Sequence, residues 1–279
     1  MIGSEQEVVV FPPYQVDVLV TKTCNLRCLH CYVTQGKDQP PLNRIKALID
    51  QLVENSVFRI TIEGGEPLIR RDIFDILDYL VVKKVKPLVG TNGTLINART
   101  AARLAEIGCT FVQVSSDGAT SKTHNSIRGP NAFERTVHGC ELLVIQGVSV
   151  RPNPVAMRYY IRGIPVLIDL ALCLKVSTLR IIGLVSPAVP GQGGKPDRTQ
   201  VRELLSYLDG RRNELEGRLN LMTAFVDSHN LHQPFKADSF FLASTSTNQP
   251  AQCWAGTVAS GRAAVGGGIS EAPALLFER

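Results

Sequence analysis

Three cysteines fall inside one short run, Cys24-Asn-Leu-Arg-Cys28-Leu-His-Cys31, with C-x₃-C-x₂-C spacing. Thiolates this close can hold one metal ion or one iron–sulfur cluster. The bacterial ferredoxin run has a fourth nearby cysteine, whereas the next one here is Cys109, far along the chain. Three ligands leave a fourth position open, and an open position suits chemistry better than pure structure. A structural zinc site completed by His30 is the competing reading. It requires a single backbone turn to present all four ligands to one ion. The full set of seven cysteines (24, 28, 31, 109, 140, 173 and 253) is odd and clustered, a poor disulfide framework that reads as an intracellular protein. Cys109, Cys140 and Cys173 lie beside apolar Ile107, Leu142, Leu172 and Leu174, which predicts three buried structural thiols.

The elements that must position this run follow from alternating periodicities. Val16, Val18 and Val20 alternate as a first strand, directly before the cysteines. A helix face follows over 42–53, with Leu42, Ile45, Leu48, Ile49 and Leu52. Phe58, Ile60 and Ile62 form a second strand, and Asp72 is placed to cap a helix from Ile73 to about Lys84. Further strands are predicted at 88–91, 111–115, 148–150 and 179–184. Helices are predicted at 99–107, 133–146, 165–174 and 198–208. Pro165 suits a first helical turn, and Asp197 with Gln200 can form a capping box. Six strand–helix units imply a parallel α/β sheet with right-handed crossovers. In such folds ligands gather at the carboxyl ends of the strands. The polar and Gly-rich segments at 21–31, 63–67, 91–93, 115–118 and 183–194 all fall there.

Composition excludes several classes. The 279 residues are 44% hydrophobic and 20% charged, enough apolar character for a sizeable core. Lys and Arg total 30 against 25 Asp and Glu, and the basic residues sit in short pairs such as Arg70-Arg71, so no nucleic-acid partner is expected. The start carries Glu5 and Glu7 where a signal peptide needs positive charge, and no window has the roughly 18 apolar residues of a membrane span. A cytoplasmic protein is expected. Gly191-Gln-Gly-Gly-Lys195 is not a phosphate loop, because Pro196 stands where Ser or Thr is needed. His229 and His232 read as surface residues.

The cysteine run resembles the C-x₃-C-x-aromatic-C signature of radical S-adenosylmethionine (SAM) enzymes, with His30 at the aromatic-like position. Glu63-Gly64-Gly65-Glu66-Pro67 is similar to the family's GGEP segment, and Thr91-Asn92-Gly93 ends the third strand. Ser115-Ser116-Asp117-Gly118, His124 and Arg128-Gly129 resemble a stretch found in the subgroup with a C-terminal auxiliary-cluster (SPASM or twitch) domain. Residues 179–194 resemble its sixth-strand segment. The similarity runs from about residue 14 to 195. It implies an α/β fold, a partial (β/α)₆ TIM-like barrel. It also implies a 4Fe–4S cluster on Cys24, Cys28 and Cys31, whose open iron takes SAM and reductively releases a 5′-deoxyadenosyl radical that abstracts substrate hydrogen. By the same resemblance Gly64, Gly65 and Glu66 hold the methionine ammonium and Arg128 its carboxylate. Ser115 meets the ribose, His30 and Leu184 the adenine region, and Asn92 belongs to the cofactor-binding set. The bottom-up chemistry agrees, since glycines admit close backbone approach and Arg offers a planar fork to a carboxylate.

Cys253-Trp-Ala-Gly256 resembles the first C-x-x-G of the auxiliary domain, but no cysteine follows it. The expected organisation is therefore an N-terminal extension over 1–13, the barrel over 14–215, and a C-terminal extension over 216–279 in which Cys253 is either the truncated start of a SPASM or twitch domain or a lone thiol. The expected function is hydrogen abstraction from a peptide or protein, a maturase of ribosomal peptides fed by a one-electron donor such as flavodoxin or ferredoxin. A radical SAM enzyme of small-molecule cofactor biosynthesis and a non-catalytic iron–sulfur or zinc protein are the alternatives.

Overall fold

The computed structural model describes residues 13–184, 194–224 and 240–244. Strands and helices alternate through β1 (Gln15–Leu19), α1 (Leu42–Glu54), β2 (Arg59–Glu63), α2 (Ile73–Val82), β3 (Pro87–Thr91), α3 (Ala98–Glu106) and β4 (Phe111–Val114). Two helices then follow in succession, α4 (Ser121–Arg128) and α5 (Ala132–Ile145), before β5 (Ser149–Pro152) and β6 (Val155–Ala156). The described chain ends with α6 (Ile164–Cys173), β7 (Thr178–Gly183), α7 (Arg198–Leu215), β8 (Asn220–Ala224) and β9 (Phe240–Ser244).

Among the described residues every strand pair is parallel. One sheet runs β5-β4-β3-β2-β1-β9 and the other β6-β7-β8. The chain is thus an α/β protein with a curved parallel sheet of the partial-barrel type. Among the described residues two strands lie past residue 215: β8 joins β7, and β9 runs beside β1 in the register Gln15 to Phe240.

Period-two alternation splits β1 and β2 between two environments. Val16, Val18, Ile60 and Ile62 are buried in one apolar core with Ile45, Ile49, Ile76, Leu77 and Leu104 from the helices. The intervening Gln15, Asp17 and Thr61 face the other way, towards the inner face of the curved sheet. On α1 the buried Ile45, Leu48, Ile49 and Leu52 keep helical spacing.

Several expectations need correction. Phe58 is 71% exposed and precedes β2, stacking on Tyr14 at 5.7 Å between ring centroids. Asp72 stands at the N-cap of α2 but makes no capping bond. Arg70 takes its carboxylate in a bidentate pair, Nε to Oδ1 at 2.9 Å and Nη2 to Oδ2 at 2.7 Å, a stronger claim than one backbone N–H. Cys173 is exposed, because the inner stripe of α6 is Ile164, Leu167, Ile168 and Ala171, and position 173 lies off that stripe. Cys109 and Cys140 are buried as expected. The capping box of Asp197 and Gln200 forms, and Pro165 occupies the first turn of α6. Helix α7 runs on to Leu215, and α4 is a helix that periodicity alone does not reveal. Residues 185–193, His229, His232 and the 253–256 segment lie outside the described residues.

Candidate functional site

The cysteine loop leaves the carboxyl end of β1 and is held at many points. Leu26 is buried and anchors it. Leu29 N–H donates to Ile127 O at 2.9 Å, Gln35 Nε2 to Leu26 O at 2.7 Å, and Cys31 N–H to Cys28 O at 3.2 Å. Cys24 and Cys28 are half-buried and Cys31 is exposed. Burial pushes the Cys24 and Cys28 thiols up, and each also feels the charge of Cys31, so the three sulfurs share one neighbourhood. N–H groups stand beside two of them. Leu26 N–H donates to Cys24 Sγ at 3.4 Å with Asn92 Nδ2 at 3.9 Å, and Arg128 Nη1 faces Cys28 Sγ at 3.8 Å. Among the described residues no three His, Cys, Asp or Glu side chains converge on a single-ion site. His30 Nε2 faces Asp117 and Arg128 rather than the three sulfurs. Three thiols in one neighbourhood, two of them with N–H groups beside the sulfur, are the kind of donor set an iron–sulfur cluster takes.

The second loop, after β2, is fused to the first. Gly65 N–H donates to Thr21 O at 2.7 Å and Glu66 N–H to Thr23 O at 2.9 Å. A Cβ on Gly64 would strike the Thr21 carbonyl, and one on Gly65 the Thr23 carbonyl, so both glycines let this loop lie against the strand leading to Cys24. Glu66 is fully buried. Its carboxylate accepts from Leu68 N–H at 3.0 Å, Thr91 Oγ1 at 2.8 Å and Asn92 N–H at 2.8 Å. Burial raises its pKa, and these donors oppose that rise. Three of about four lone-pair sites are therefore used inside the protein. The sequence marks Thr91 only as the start of the Thr91-Asn92-Gly93 strand end; its bond to Glu66 emerges from the structure, and its place beside the GGEP segment is the signal available.

A third group gathers around Asp117. Arg128 Nε donates to Asp117 Oδ2 inside the protein, and Val155 N–H donates to Oδ1 at 2.8 Å. His30 Nε2 lies 3.5 Å from Asp117 Oδ2 and 3.5 Å from Arg128 Nη2. Burial alone would raise the Asp117 pKa, but Arg128 and His30 overcome it and hold the carboxyl below its ordinary range. Burial, opposed by Asp117 and reinforced by Arg128, lowers His30, so its ring is neutral near pH 7. Leu184 packs with Ile127 and Met157 into a small apolar group beside Arg128. Ser115 is half-buried at the end of β4, its N–H on Thr91 O at 2.9 Å. The structure thus brings Cys24, Asn92 and Glu66 together on one side and Cys28, His30 and Arg128 on the other. Ser115 and Leu184 lie at the flanks.

Below these loops the inner face of the sheet is polar, which sequence reasoning did not pick out. Gln15 Nε2 donates to Asp17 Oδ1 at 3.0 Å and Thr61 Oγ1 at 3.2 Å. Glu63 extends over Gly90, where any side chain would collide with it. Burial and the neighbouring Asp17 raise Glu63 to about 8, against the pull of Arg180 and a hydrogen bond from Tyr32. Polar residues at alternate positions beside Val16, Val18, Ile60 and Ile62 were the available signal.

Residues 18–164 match the Radical SAM superfamily. The chain belongs to that superfamily. That superfamily is one that uses a 4Fe–4S cluster and SAM. Among curated relatives, the mycofactocin maturase MftC of Mycobacterium ulcerans is 38% identical over 133 residues, 47% of this chain and 36% of that protein. The Fe-coproporphyrin III synthase of Methanosarcina barkeri is 33% identical over 199 residues, 69% of this chain and 48% of that protein. The chain thus spans less than half the length of these relatives. Streptococcus suis SuiB has the same fold, with a TM-score of 0.70 at 20% identity over 86% of this chain and 63% of SuiB.

Proposed function

We propose that this radical SAM chain carries the catalytic barrel, residues 14–215, of a peptide maturase. In this reading Cys24, Cys28 and Cys31 hold the cluster, which with SAM supplies a carbon-centred radical that takes hydrogen from the substrate. Arg128 receives the SAM carboxylate. It supports this role with a buried guanidinium already beside Cys28 Sγ. The backbone of Gly64, Gly65 and Glu66 lines the methionine ammonium, while Ser115, His30 and Leu184 border the adenosine. The substrate peptide enters the polar inner face, which Asp17, Glu63 and Tyr32 border. Electrons come from an external flavodoxin or ferredoxin. No helix among the described residues is long and apolar enough to cross a membrane.

The observation that carries the peptide reading is the similarity to MftC, at 38% identity over 133 residues. A second reading, modification of a tetrapyrrole, is favoured by the longer match to the Fe-coproporphyrin III synthase. Anaerobic reconstitution followed by reduction with SAM tests both. Cluster absorbance and 5′-deoxyadenosine are expected from the native chain and from Cys140→Ala, and neither from Cys28→Ala. Adding a short peptide encoded beside the gene, or iron coproporphyrin III, then separates the readings by which additive changes mass. A chain that binds zinc and yields no 5′-deoxyadenosine would sink both.

A further inference from the structure

Asn92 occupies a position that its hydrogen bonds make unusually well defined. Its side-chain nitrogen donates to Asn25 Oδ1 at 2.8 Å, Asn25 Nδ2 donates to Thr94 Oγ1 at 2.8 Å, and the Thr94 hydroxyl donates to Asn92 Oδ1 at 2.6 Å. The three side chains form a closed ring of three hydrogen bonds, each member donating once and accepting once, which fixes the orientation of both amides. Thr94 N–H adds a further bond to Asn92 Oδ1 at 2.9 Å. The backbone of Asn92 is held as firmly, its N–H on Glu66 Oε2 at 2.8 Å and its carbonyl accepting from Thr136 Oγ1 at 2.9 Å. Asn92 is 6% exposed.

With one amide hydrogen spent on Asn25, the other is left on the side of Cys24 Sγ, 3.9 Å away. Asn25 is the residue directly after Cys24, so the ring clamps the first cysteine of the loop to the turn after β3. We infer that Asn92, locked by Asn25 and Thr94, is a positioning residue that aims an N–H at the Cys24 sulfur and so sets the reduction potential of the cluster. The inference rests on the reading of Cys24 as a cluster ligand. Donors facing a ligating sulfur stabilise the more negative, reduced cluster and raise its potential. Leu26 N–H supplies a second donor to the same sulfur, while Cys28 is served by Arg128. Asn92 is thus the neutral donor to Cys24 that a side-chain substitution can remove.

The test uses the full chain, reconstituted anaerobically, with Asn92→Asp, Asn92→Ala, Asn25→Ala and the Asn25→Ala/Asn92→Ala double variant. Iron and sulfide are counted per chain, and the midpoint potential is read by an EPR-monitored redox titration without substrate. Asn92→Asp keeps the size and the acceptor for Thr94 but, being acceptor-only, has no N–H for Asn25 or Cys24. Asn92→Asp and Asn92→Ala are expected to keep the cluster and shift the potential negative. Asn25→Ala frees the Asn92 amide and shifts it the same way, and the double variant goes no further than Asn92→Ala alone. Potentials unchanged from the native chain at full cluster content overturn the inference, as do additive shifts. If the Asn92 variants lose the cluster, Asn25→Ala, altered only at an exposed loop position, decides by the same readout. A native chain that assembles no cluster overturns the ligand reading itself, and is distinguished by its iron count.

Discussion

Arg128 closes its guanidinium on the buried Asp117 carboxylate while its other nitrogens face Cys28 Sγ and His30. The Asp117 side chain is 0% exposed and that of Arg128 9%, so neither charge has water to fall back on. Asp117→Asn would leave a buried guanidinium without its counter-charge. A loss of about 3–5 kcal/mol in unfolding free energy is expected at pH 7. Urea unfolding measures it. Because the folded-state pKa of Asp117 is depressed, its contribution is full above the ordinary value of 3.8 and is lost only as pH falls through the lower folded value. The gap between native chain and variant should therefore stay constant from pH 5 to 8, in the range set by these pKa directions. A variant as stable as the native chain would mean that the pair is not closed in solution.

Gly64 and Gly65 bring the β2 loop onto the strand that leads to the cysteines. Alanine at either position drives a Cβ into a backbone carbonyl, which no side-chain adjustment relieves. Each substitution should cost at least about 1–3 kcal/mol, by analogy with overpacking elsewhere. It should also lower the iron bound per chain on reconstitution. Gly163→Ala is the control, since nothing lies within 4 Å of its Cβ position. It should leave both melting temperature and iron content close to the native values. Equal behaviour of the Gly65 and Gly163 variants would show that the contact with Thr23 is not needed.

The order of elements was legible because each strand and helix carries its own period, and the site was legible where residue type alone dictates chemistry. Three clustered thiols and a Gly-Gly after a strand need no partner to be noticed. What stayed hidden depends on residues far apart in sequence. Helix α4 reads as polar, and its buried His124, Ile127 and Arg128 make sense only once Asp117 and the cysteine loop stand beside them. Asp72 looks like a cap until Arg70 is seen to take its carboxylate. Thr91 at a strand end and Asn25 and Thr94 in loops look ordinary in the sequence, and only their distances to Glu66 and Asn92 give them a role.

Thiol reactivity should divide the cysteines by burial. Cys109 and Cys140 lie in the core, and burial pushes each thiol to about 12. At pH 8 both are protonated and enclosed, hence inert. Exposed Cys31 and Cys173 should be alkylated by iodoacetamide within minutes in the cluster-free chain, and the core pair only after addition of urea. Peptide mass mapping reads the order. Modification of Cys140 at the rate of Cys173 would contradict the packing of α5 against the sheet.

Glu63 gives the clearest pH signature. It stands on the inner face with Asp17, Arg180 and Tyr32 around it, and its folded pKa of about 8 exceeds the ordinary 4.5. Between those values the folded chain holds a proton that the unfolded chain has released, so stability falls as pH rises. Below 4.5 both states are protonated and the stabilising contribution is complete; above about 8 it is gone. Glu63→Gln keeps the shape and the hydrogen-bonding capacity but cannot ionise. Relative to the native chain the variant should therefore gain stability steadily from pH 5 to pH 8.5, the window spanned by the cited shift. Urea unfolding of the cluster-free protein at three pH values across that window is sufficient. Two curves that run parallel would show Glu63 ionising as an exposed carboxylate does, and would place water rather than the Asp17 carboxylate beside it.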